Sequence, residues 1–209
     1  MPPHPAKTRL REALRARRAA LPPAVATLSS RRLVDAILAH PAWTRAKGVA
    51  AFVGVRGEPH TRPLLEAALE GGRRLWLPRV VDAMAGSSVL VEITSTEQLA
   101  PAAFGLLEPA PRDDELRFES VPVGGPIDLA LVPGLAFGSQ GARIGFGPGH
   151  YDRLLESVAT LEHPVRMGVC FADFFDPPEG PIPTESHDVP MHWVATEDGV
   201  TRCTPVVSG

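Results

Sequence analysis

The stretch Arg143-Ile-Gly-Phe-Gly-Pro-Gly-His-Tyr-Asp152 carries glycine at every second position from residue 145 to residue 149. An apolar run at 127–133 precedes it, and apolar residues at helical spacing follow from 151 to 161. The order is therefore strand, flexible loop and helix start. Glycines let the backbone turn sharply and approach a ligand closely. A helix start adds unpaired N–H donors and a partial positive charge, so the stretch predicts an anion site, with phosphate as the usual anion.

The spacing of these glycines matches neither of the two common phosphate-binding fingerprints. No Gly-Lys-Ser/Thr follows, as it would in a P-loop, and the third glycine comes too early for the dinucleotide pattern. Taken alone, the stretch fits a surface turn as well as it fits an anion site. Other parts of the chain have to decide between the two interpretations.

Length and composition indicate one ordinary globular domain. The chain has 209 residues, of which 44% are hydrophobic, enough to fill a core. No apolar stretch reaches the length of a membrane span, and charges recur from Lys7 to Arg18, where a signal peptide would be apolar. Cys170 and Cys203 make no disulfide framework and are expected to be inert. We therefore expect a cytoplasmic protein with no membrane partner, and a monomer by default.

The net charge of −3 conceals an uneven distribution of charge. Residues 1–47 hold ten lysines and arginines against two acidic residues, whereas residues 48–209 hold eleven basic and twenty-two acidic residues. A basic start indicates contact with an anion: nucleic acid, a nucleotide, an acidic ligand or the acidic body of the same chain. Composition alone does not support nucleic-acid binding, and none is expected. The cluster of Arg15, Arg17 and Arg18 is predicted to be a solvated face.

Helical and strand patterns alternate along the chain. Residues 6–20 and 24–39 predict two helices that form a basic hairpin at the N-terminus. Thr61 is a candidate N-cap for a third helix, and residues 94–126 are expected to form a long irregular connection. Six buried strands are predicted, at 48–55, 74–78, 88–93, 127–132, 165–171 and 193–196.

Alternating strands and helices favour one α/β domain over residues 1–209. A strand–helix–strand order implies parallel neighbours joined by a right-handed crossover. The predicted architecture is a three-layer α/β/α fold with a mainly parallel central sheet, in which 1–47 is the helical hairpin and 48–209 is the body that contains the sheet.

In open sheets of this kind, ligands bind beyond the carboxyl ends of the strands. Glu58 follows the first strand, the glycine stretch follows the strand at 127–132, and Asp188 precedes the last strand. Asp152 and Asp188 could hold Mg²⁺ beside bound phosphates, but they could also be a helix-start residue and a turn residue. Glu58 could accept a hydrogen bond from a ligand amide or cap the following turn. A lone histidine such as His150 is more often structural than catalytic.

Several stretches together resemble one family, the 5-formyltetrahydrofolate cyclo-ligases, also called 5,10-methenyltetrahydrofolate synthetases. The resemblance covers about residues 7–196. It rests on Asp128-Leu-Ala-Leu-Val-Pro-Gly-Leu-Ala-Phe137 with Gly141–Asp152, on Lys7-Thr-Arg-Leu-Arg11, on Phe52-Val53 with Glu58 and Thr61, and on Pro183-Thr-Glu-Ser-His-Asp188. The loop departs from the family pattern at Pro148 and at His150, where the family has tyrosine.

The resemblance implies ATP and Mg²⁺ as co-substrate and cofactor, and a set of site residues. Lys7 and Arg143 would be catalytic, and Asp152 and Asp188 would hold the metal. Reduced folate would contact Val53, Glu58, Gly147, Pro148, Gly149, His150 and Tyr151. ATP would contact Lys7, Thr8, Arg9, Leu10, Arg11, Arg143, Ile144, Gly145, Phe146, Gly147, Pro148, Gly149, His150 and Tyr151.

The implied reaction converts ATP and 5-formyltetrahydrofolate into ADP, phosphate and 5,10-methenyltetrahydrofolate. An N-formyl amide is a poor electrophile, so phosphorylation of its oxygen would activate it for attack by the neighbouring N10 amine. Such a reaction needs positioning and charge neutralisation and no covalent nucleophile. Two alternatives stay open. The chain could be a divergent member that binds nucleotide, folate or RNA without turnover, or an ATP-dependent ligase for another formyl or amide substrate.

Overall fold

A computed structural model describes most of the chain. The described residues are 5–55, 57–82, 87–102, 107–110, 126–147, 149–155, 163–185 and 187–204. Pro148 of the glycine stretch, and the predicted helical positions Val158 and Leu161, lie outside the described residues.

A seven-stranded sheet forms the centre of the fold, with strand order β11-β10-β9-β6-β1-β2-β3. Its strands are β1 Gly48–Ala50, β2 Arg74–Asp82, β3 Ser87–Ile93, β6 Leu129–Pro133, β9 Val165–Val169, β10 Trp193–Thr196 and β11 Gly199–Arg202. The five inner strands pair in parallel, and β3 and β11 add antiparallel edges. The mainly parallel sheet predicted from the sequence is therefore confirmed.

Two short pairs of strands lie outside this sheet. β4 Leu99–Pro101 pairs with β5 Leu107–Pro109, and β7 Ala136–Phe137 pairs with β8 Arg143–Ile144, both antiparallel. The β4–β5 ribbon falls within 94–126, for which an irregular connection was expected. Strands of three residues are too short to show a period in the sequence, so the pattern could not reveal them.

Five α-helices surround the sheet in the described part of the chain. They are α1 Pro5–Ala19, α2 Pro23–Ala39, α3 Pro41–Arg45, α4 Arg62–Glu70 and α5 His150–Leu155. Proline is the first residue of α2 and α3 and the second residue of α4, where the missing N–H costs nothing. The two N-terminal helices follow the sequence prediction to within one residue.

Both faces of the sheet are buried, which makes the fold three-layered. Along β6, Leu129 and Leu131 join one apolar cluster while Ala130 and Val132 join the other, because successive side chains point to opposite faces. Apart from Ala26, the buried apolar residues of α2, α3 and α4 belong to the first cluster. Those of α1, α5 and the β7–β8 hairpin belong to the second. The two consecutive N-terminal helices thus bury most of their apolar residues in different clusters.

Two details differ from the sequence predictions. The apolar spacing of the helix predicted at 24–39 places Leu28 inward together with Leu33 and Ile37, but Leu28 is 62% exposed. The buried positions of α2 include Ala26, Ser30 and Leu33, and a residue two places after Ala26 lies about 200° around the helix. The first strand was expected over 48–55, but β1 ends at Ala50 and residues 51–55 lie outside any strand.

Candidate functional site

The β7–β8 hairpin delivers Arg143 to the carboxyl edge of the sheet. Its turn contains Gly141 at φ +86°, where a Cβ would lie 2.6 Å from the carbonyl oxygen of Met191. Only glycine allows that close approach. The hairpin turns the chain back, so that Nη1 of Arg143 donates to the carbonyl of Pro133 at the end of β6, at 3.2 Å. Local turn chemistry therefore aims a buried guanidinium at the site.

The glycine loop, residues 145–149, follows this hairpin and leads into α5. Gly147 and Gly149 have φ +136° and +75°, a region that disfavours side chains. Gly145 is constrained differently, because a Cβ there would lie 2.8 Å from Nη1 of Arg143. The alternate glycines are thus required by two backbone conformations and one close contact. This explains the pattern on which the sequence prediction rested.

Arg143 links the loop to the first turn of α5. Its Nη2 forms an ion pair with Oδ1 of Asp152, and its guanidinium carbon lies 5.9 Å from the centre of the Tyr151 ring. Arg143 is 7% exposed, whereas the Asp152 side chain is 25% exposed. A buried cation therefore holds a carboxylate that still faces solvent.

Helix α1 brings a row of basic residues against the loop. Nε of Arg11 donates to the carbonyl of Gly145 at 3.0 Å, and Nη2 of Arg15 donates to the carbonyl of Phe146. At the start of the helix, the Lys7 ammonium is buried and lies 2.6 Å from Oδ2 of Asp188 and 2.7 Å from Oε2 of Glu185. The helix thus spans the distance from the glycine loop to the segment around Asp188.

Arg11 lies within electrostatic reach of both predicted metal ligands. Burial, followed by repulsion from Arg15, lowers the pKa of the Arg11 guanidinium, while Asp152, Asp188 and Glu185 act in the opposite direction. These carboxylates come from the start of α5 and from the segment before β10, and they surround one cation. The structure therefore brings together Lys7, Arg11, Arg143, Asp152 and Asp188.

Glu58 lies at the bottom of the same edge and is 5% exposed. Its Oε2 accepts a hydrogen bond from the backbone N–H of Val55 at 3.1 Å. The surrounding turn is fixed by Thr61, whose hydroxyl donates to the carbonyl of Phe52 and accepts from the N–H of Gly54. Burial raises the pKa of Glu58 to about 7, against the opposing effects of the Val55 N–H and of Arg18.

Two side chains of α5 complete this region. The Tyr151 hydroxyl is buried and has no hydrogen-bond partner among the described residues, and burial together with the charge of Glu58 raises its pKa. Nδ1 of the other side chain, that of His150, lies 2.9 Å from the hydroxyl of Ser88 on β3. Burial and the nearby Arg153 lower the pKa of His150, which favours the neutral imidazole. His150 is thus anchored to the sheet.

Some of the residues predicted for the site offer it no buried polar side chain. Leu10 and Ile144 are buried in the core, and Val53 packs against the other apolar cluster. Arg9 is exposed and Thr8 is half-buried on the same helix. Pro148 lies outside the described residues.

Sequence reasoning missed Arg18 and Glu185. Arg18 was predicted to lie on a solvated face, but it is 5% exposed and its guanidinium lies 3.8 Å from Glu58. Lys7, Arg11, Leu14 and Arg18 recur at intervals of three or four residues, the spacing of one helix face. That periodicity could have found Arg18. Glu185 carries no such signal.

The carboxylates fit a hard divalent cation. Carboxylate oxygens are the donors that Mg²⁺ takes, usually one or two from the protein together with waters and phosphates. The Asp188 side chain is 13% exposed, and oxygen atoms of Glu185 and Asp188 lie within 4.8 Å of one another and of a ring nitrogen of His187. Asp152 and Asp188 are each paired with a cation that phosphate oxygens could take over.

A mainly parallel α/β sheet with basic, acidic and glycine-rich segments at its carboxyl edge is typical of enzymes that act on small molecules. The family model of the 5-formyltetrahydrofolate cyclo-ligase family matches residues 3–197. The chain therefore belongs to the 5-formyltetrahydrofolate cyclo-ligase family and is a ligase enzyme. No helix in the described part of the chain is long and apolar enough to cross a membrane.

Named relatives and one solved structure agree with this placement. The 5-formyltetrahydrofolate cyclo-ligase of Mycolicibacterium smegmatis is 37% identical over 150 residues, which are 71% of this chain and 72% of that protein. The mouse protein (Mus musculus) of the same name is 28% identical over 198 residues, 92% of this chain and 94% of its own. The 5,10-methenyltetrahydrofolate synthetase of Aquifex aeolicus superposes with a TM-score of 0.77 at 28% identity, covering 97% of this chain and 95% of that one.

Proposed function

We propose that the protein cyclises 5-formyltetrahydrofolate to 5,10-methenyltetrahydrofolate at the expense of ATP, releasing ADP and phosphate. The observation that carries this proposal is the convergence of α1 on the glycine loop, with Arg11 on the carbonyl of Gly145 and Lys7 between Asp188 and Glu185. Cations, backbone donors and metal-type carboxylates at one place suit a triphosphate. The family membership supplies the substrate class.

The chemistry asks the protein to position two substrates and to neutralise charge. The formyl oxygen of the folate takes the γ-phosphoryl group, ADP leaves, and N10 then attacks the formyl carbon and loses its proton as phosphate departs. We assign Lys7 and Arg143 to the transferring phosphoryl group, because both are buried cations beside the glycine loop or the carboxylates. Arg11 and the loop would hold the remaining phosphates.

Asp152 and Asp188 are the proposed ligands of Mg²⁺, which would supply positive charge beside the phosphates. In the ligand-free chain their charges are balanced by Arg143 and Lys7. Each basic side chain can therefore turn from a carboxylate to a phosphate oxygen when the nucleotide arrives. This exchange keeps every buried charge paired.

Glu58 is proposed to accept the amide edge of the pterin ring. Among the described residues its carboxylate accepts one backbone N–H, and it lies close enough to Tyr151 to influence the ionisation of that side chain. Val53 and the loop residues up to Tyr151 would line the remaining contact. The ring would thereby be oriented with its formyl group toward the nucleotide.

The direct test is the absorbance of methenyltetrahydrofolate formed from 5-formyltetrahydrofolate with ATP and Mg²⁺. We expect product with all three components and none when ATP or Mg²⁺ is left out. Absence of product at high enzyme concentration would sink the proposal. Thermal stabilisation by MgATP or folate without product would then favour the alternative of a member that binds without turnover. The departure from the family pattern at His150 is consistent with that alternative. ADP release with other formyl compounds alone would favour a different substrate.

We further propose that the protein acts as a cytoplasmic monomer, as a single domain over residues 1–209. The reactants are then two small molecules, with no nucleic acid involved. Light scattering after size-exclusion chromatography tests the monomer, whose mass is 22.3 kDa. A mass of about twice that value would replace it with a dimer.

A further inference from the structure

Arg18 lies beside Glu58, although none of the stretches on which the family resemblance rests contains it. The residue is 5% exposed, on the last turn of α1. Its Nη2 donates to two carbonyl oxygens in the turn after β6, those of Gly134 at 2.8 Å and Leu135 at 3.0 Å. Two aromatic rings flank its guanidinium, Phe146 at 5.5 Å and Phe174 at 5.0 Å. One side chain thus contacts the β6 turn, the glycine loop and the segment after β9.

The remaining donors of Arg18 are not used. Nη1 and Nε are buried without a hydrogen-bond partner among the described residues, and Nη1 lies 3.8 Å from Oε1 of Glu58. Buried donors without partners are costly, and native proteins seldom retain them. A gap of 3.8 Å is slightly too long for a hydrogen bond and closes with a small movement of the carboxylate.

Two ionisable side chains next to this pair, Tyr151 and Cys170, stay neutral near pH 7. Tyr151 of α5 faces Glu58, and Cys170 after β9 faces Arg18; burial raises the pKa of both side chains. Arg143 acts on Tyr151 but is itself paired with Asp152. Among the described residues, Arg18 is therefore the cation that acts on the charge of Glu58. Since arginine stays protonated in proteins, its influence is permanent.

We infer that Arg18 is a positioning residue, which aims the Glu58 carboxylate at the folate and links it to the glycine loop. The two flanking rings and the two hydrogen bonds to carbonyl oxygens fix the position of the guanidinium, so its charge lies at a fixed place relative to Glu58. Arg18 would not touch the substrate. The inference rests on the proposed function, because it takes Glu58 as the folate-binding carboxylate.

The test compares Arg18→Met with the wild-type protein and with Arg17→Met. Arg17 lies on the same helix but bonds the carbonyl of Asp173 and the side chain of Glu179, away from Glu58. In Arg18→Met we expect the KM for 5-formyltetrahydrofolate to rise about tenfold or more, with the KM for ATP within about threefold of wild type. Equal losses for both substrates, or losses matched by Arg17→Met, would overturn the inference.

The pH dependence provides a readout that a purely structural role would not move. Without the cation the pKa of Glu58 rises further, so the acid limb of kcat/KM for folate should shift to higher pH by about one unit. Arg18→Lys keeps a charge and should restore most of this limb. An acid limb that does not move in Arg18→Met contradicts the inference.

A titration without folate separates this inference from the proposed function. In protein with ¹³C-labelled glutamate carboxyls, the Glu58 signal is assigned by its loss in Glu58→Gln. Its midpoint should rise in Arg18→Met and stay in place in Arg17→Met. If the wild-type protein makes no product, the proposed function fails while this titration still decides the link between Arg18 and Glu58. If Arg18→Met does not fold, Arg18→Lys and Arg18→Gln serve, and only Arg18→Gln should shift the midpoint.

Discussion

Arg143 explains at the residue scale why the glycine stretch has its composition. Its guanidinium bonds Pro133 and Asp152, approaches the position of a Cβ on Gly145 and lies over the Tyr151 ring. A larger residue at 145 would displace the guanidinium. Arg143, a strand residue, thus folds back on the loop that follows it, so one short stretch of sequence holds several contacting residues.

The metal assignment is tested by Asp152→Asn. MgATP at a hundredfold excess over its Kd should stabilise the wild-type protein by about 2.7 kcal/mol. In Asp152→Asn we expect to lose about 1.4 kcal/mol or more of this, since one charged ligand has gone. The measurement is the change in Tm on adding MgATP, with ATP plus chelator as a second arm. Asp173→Asn, an exposed carboxylate, is the matched control; retained stabilisation in Asp152→Asn would contradict the assignment.

Glu58 should make the stability of the ligand-free protein depend on pH. Its pKa is about 7 in the fold against an ordinary 4.5, so the fold favours the protonated form. The resulting stability is present below pH 4.5 and is lost as pH rises through 7. Glu58→Gln cannot ionise, so its stability relative to wild type should increase between pH 5 and pH 8, by about 1–3 kcal/mol.

Urea denaturation at four pH values measures this difference. Glu70→Gln removes a carboxylate from an exposed position and should show no such trend. A difference between Glu58→Gln and wild type that is constant from pH 5 to pH 8 would show that Glu58 ionises normally in the fold.

Among the elements of the fold, helix α1 shows best what the apolar pattern of a sequence predicts and what it misses. Its apolar residues Leu10 and Leu14 predicted a buried face, and that face exists. Two buried cations, Lys7 and Arg18, lie on the same face, which a pattern of apolar residues alone assigns to solvent. Periodicity places Lys7 and Arg18 on one helix face, but it does not show that they are buried, because their hydrogen-bond partners lie more than a hundred residues away.

Lys7→Met should therefore loosen α1 before it affects the sheet. The change leaves the partly buried carboxylates of Glu185 and Asp188 without their cation, and breaking a buried pair costs about 3 kcal/mol or more. Amides of α1 should exchange with deuterium at least about tenfold faster while those of β6 stay protected. Glu12→Gln, an exposed change on the same helix, should leave exchange unaltered. Equal loss of protection in α1 and β6 would mean that the helix does not open separately.

The contact between the β7–β8 hairpin and β9 requires a glycine at position 168. A Cβ on Gly168 would lie 2.4 Å from the ring of Phe137, which is fully buried. Gly168→Ala should destabilise the protein by about 1–3 kcal/mol, because a packed core cannot make room without strain. The Tm should fall by several degrees, whereas Gly138→Ala, with its nearest contacts at 3.6 Å, should change it little. Similar Tm values for the two variants would refute this account.

For the whole molecule, elements with long and regular sequence patterns could be predicted. Very short strands, and contacts between residues far apart in the chain, could not. Continuous apolar runs such as 127–132 indicated a sheet buried on both faces, and the structure confirms it. The edge strand β11 contains a single apolar side chain, and the strands of the β7–β8 hairpin have two residues each, so neither leaves a pattern. The pairing of Lys7 with Asp188 depends on the completed fold, so only the family resemblance placed both residues in one site.

The ion pair between Lys7 and Asp188 joins residues 181 positions apart. During synthesis the first of these groups leaves the ribosome long before the second has been made. Contacts of such separation form late, because closing a long loop costs entropy that earlier structure has to offset. Helix α1 therefore has no carboxylates to receive its ammonium until almost the entire chain is available. A chain interrupted before residue 185 would keep the contacts of Arg11 and Arg18 with residues 134–145 but would leave the Lys7 ammonium without either of its carboxylates.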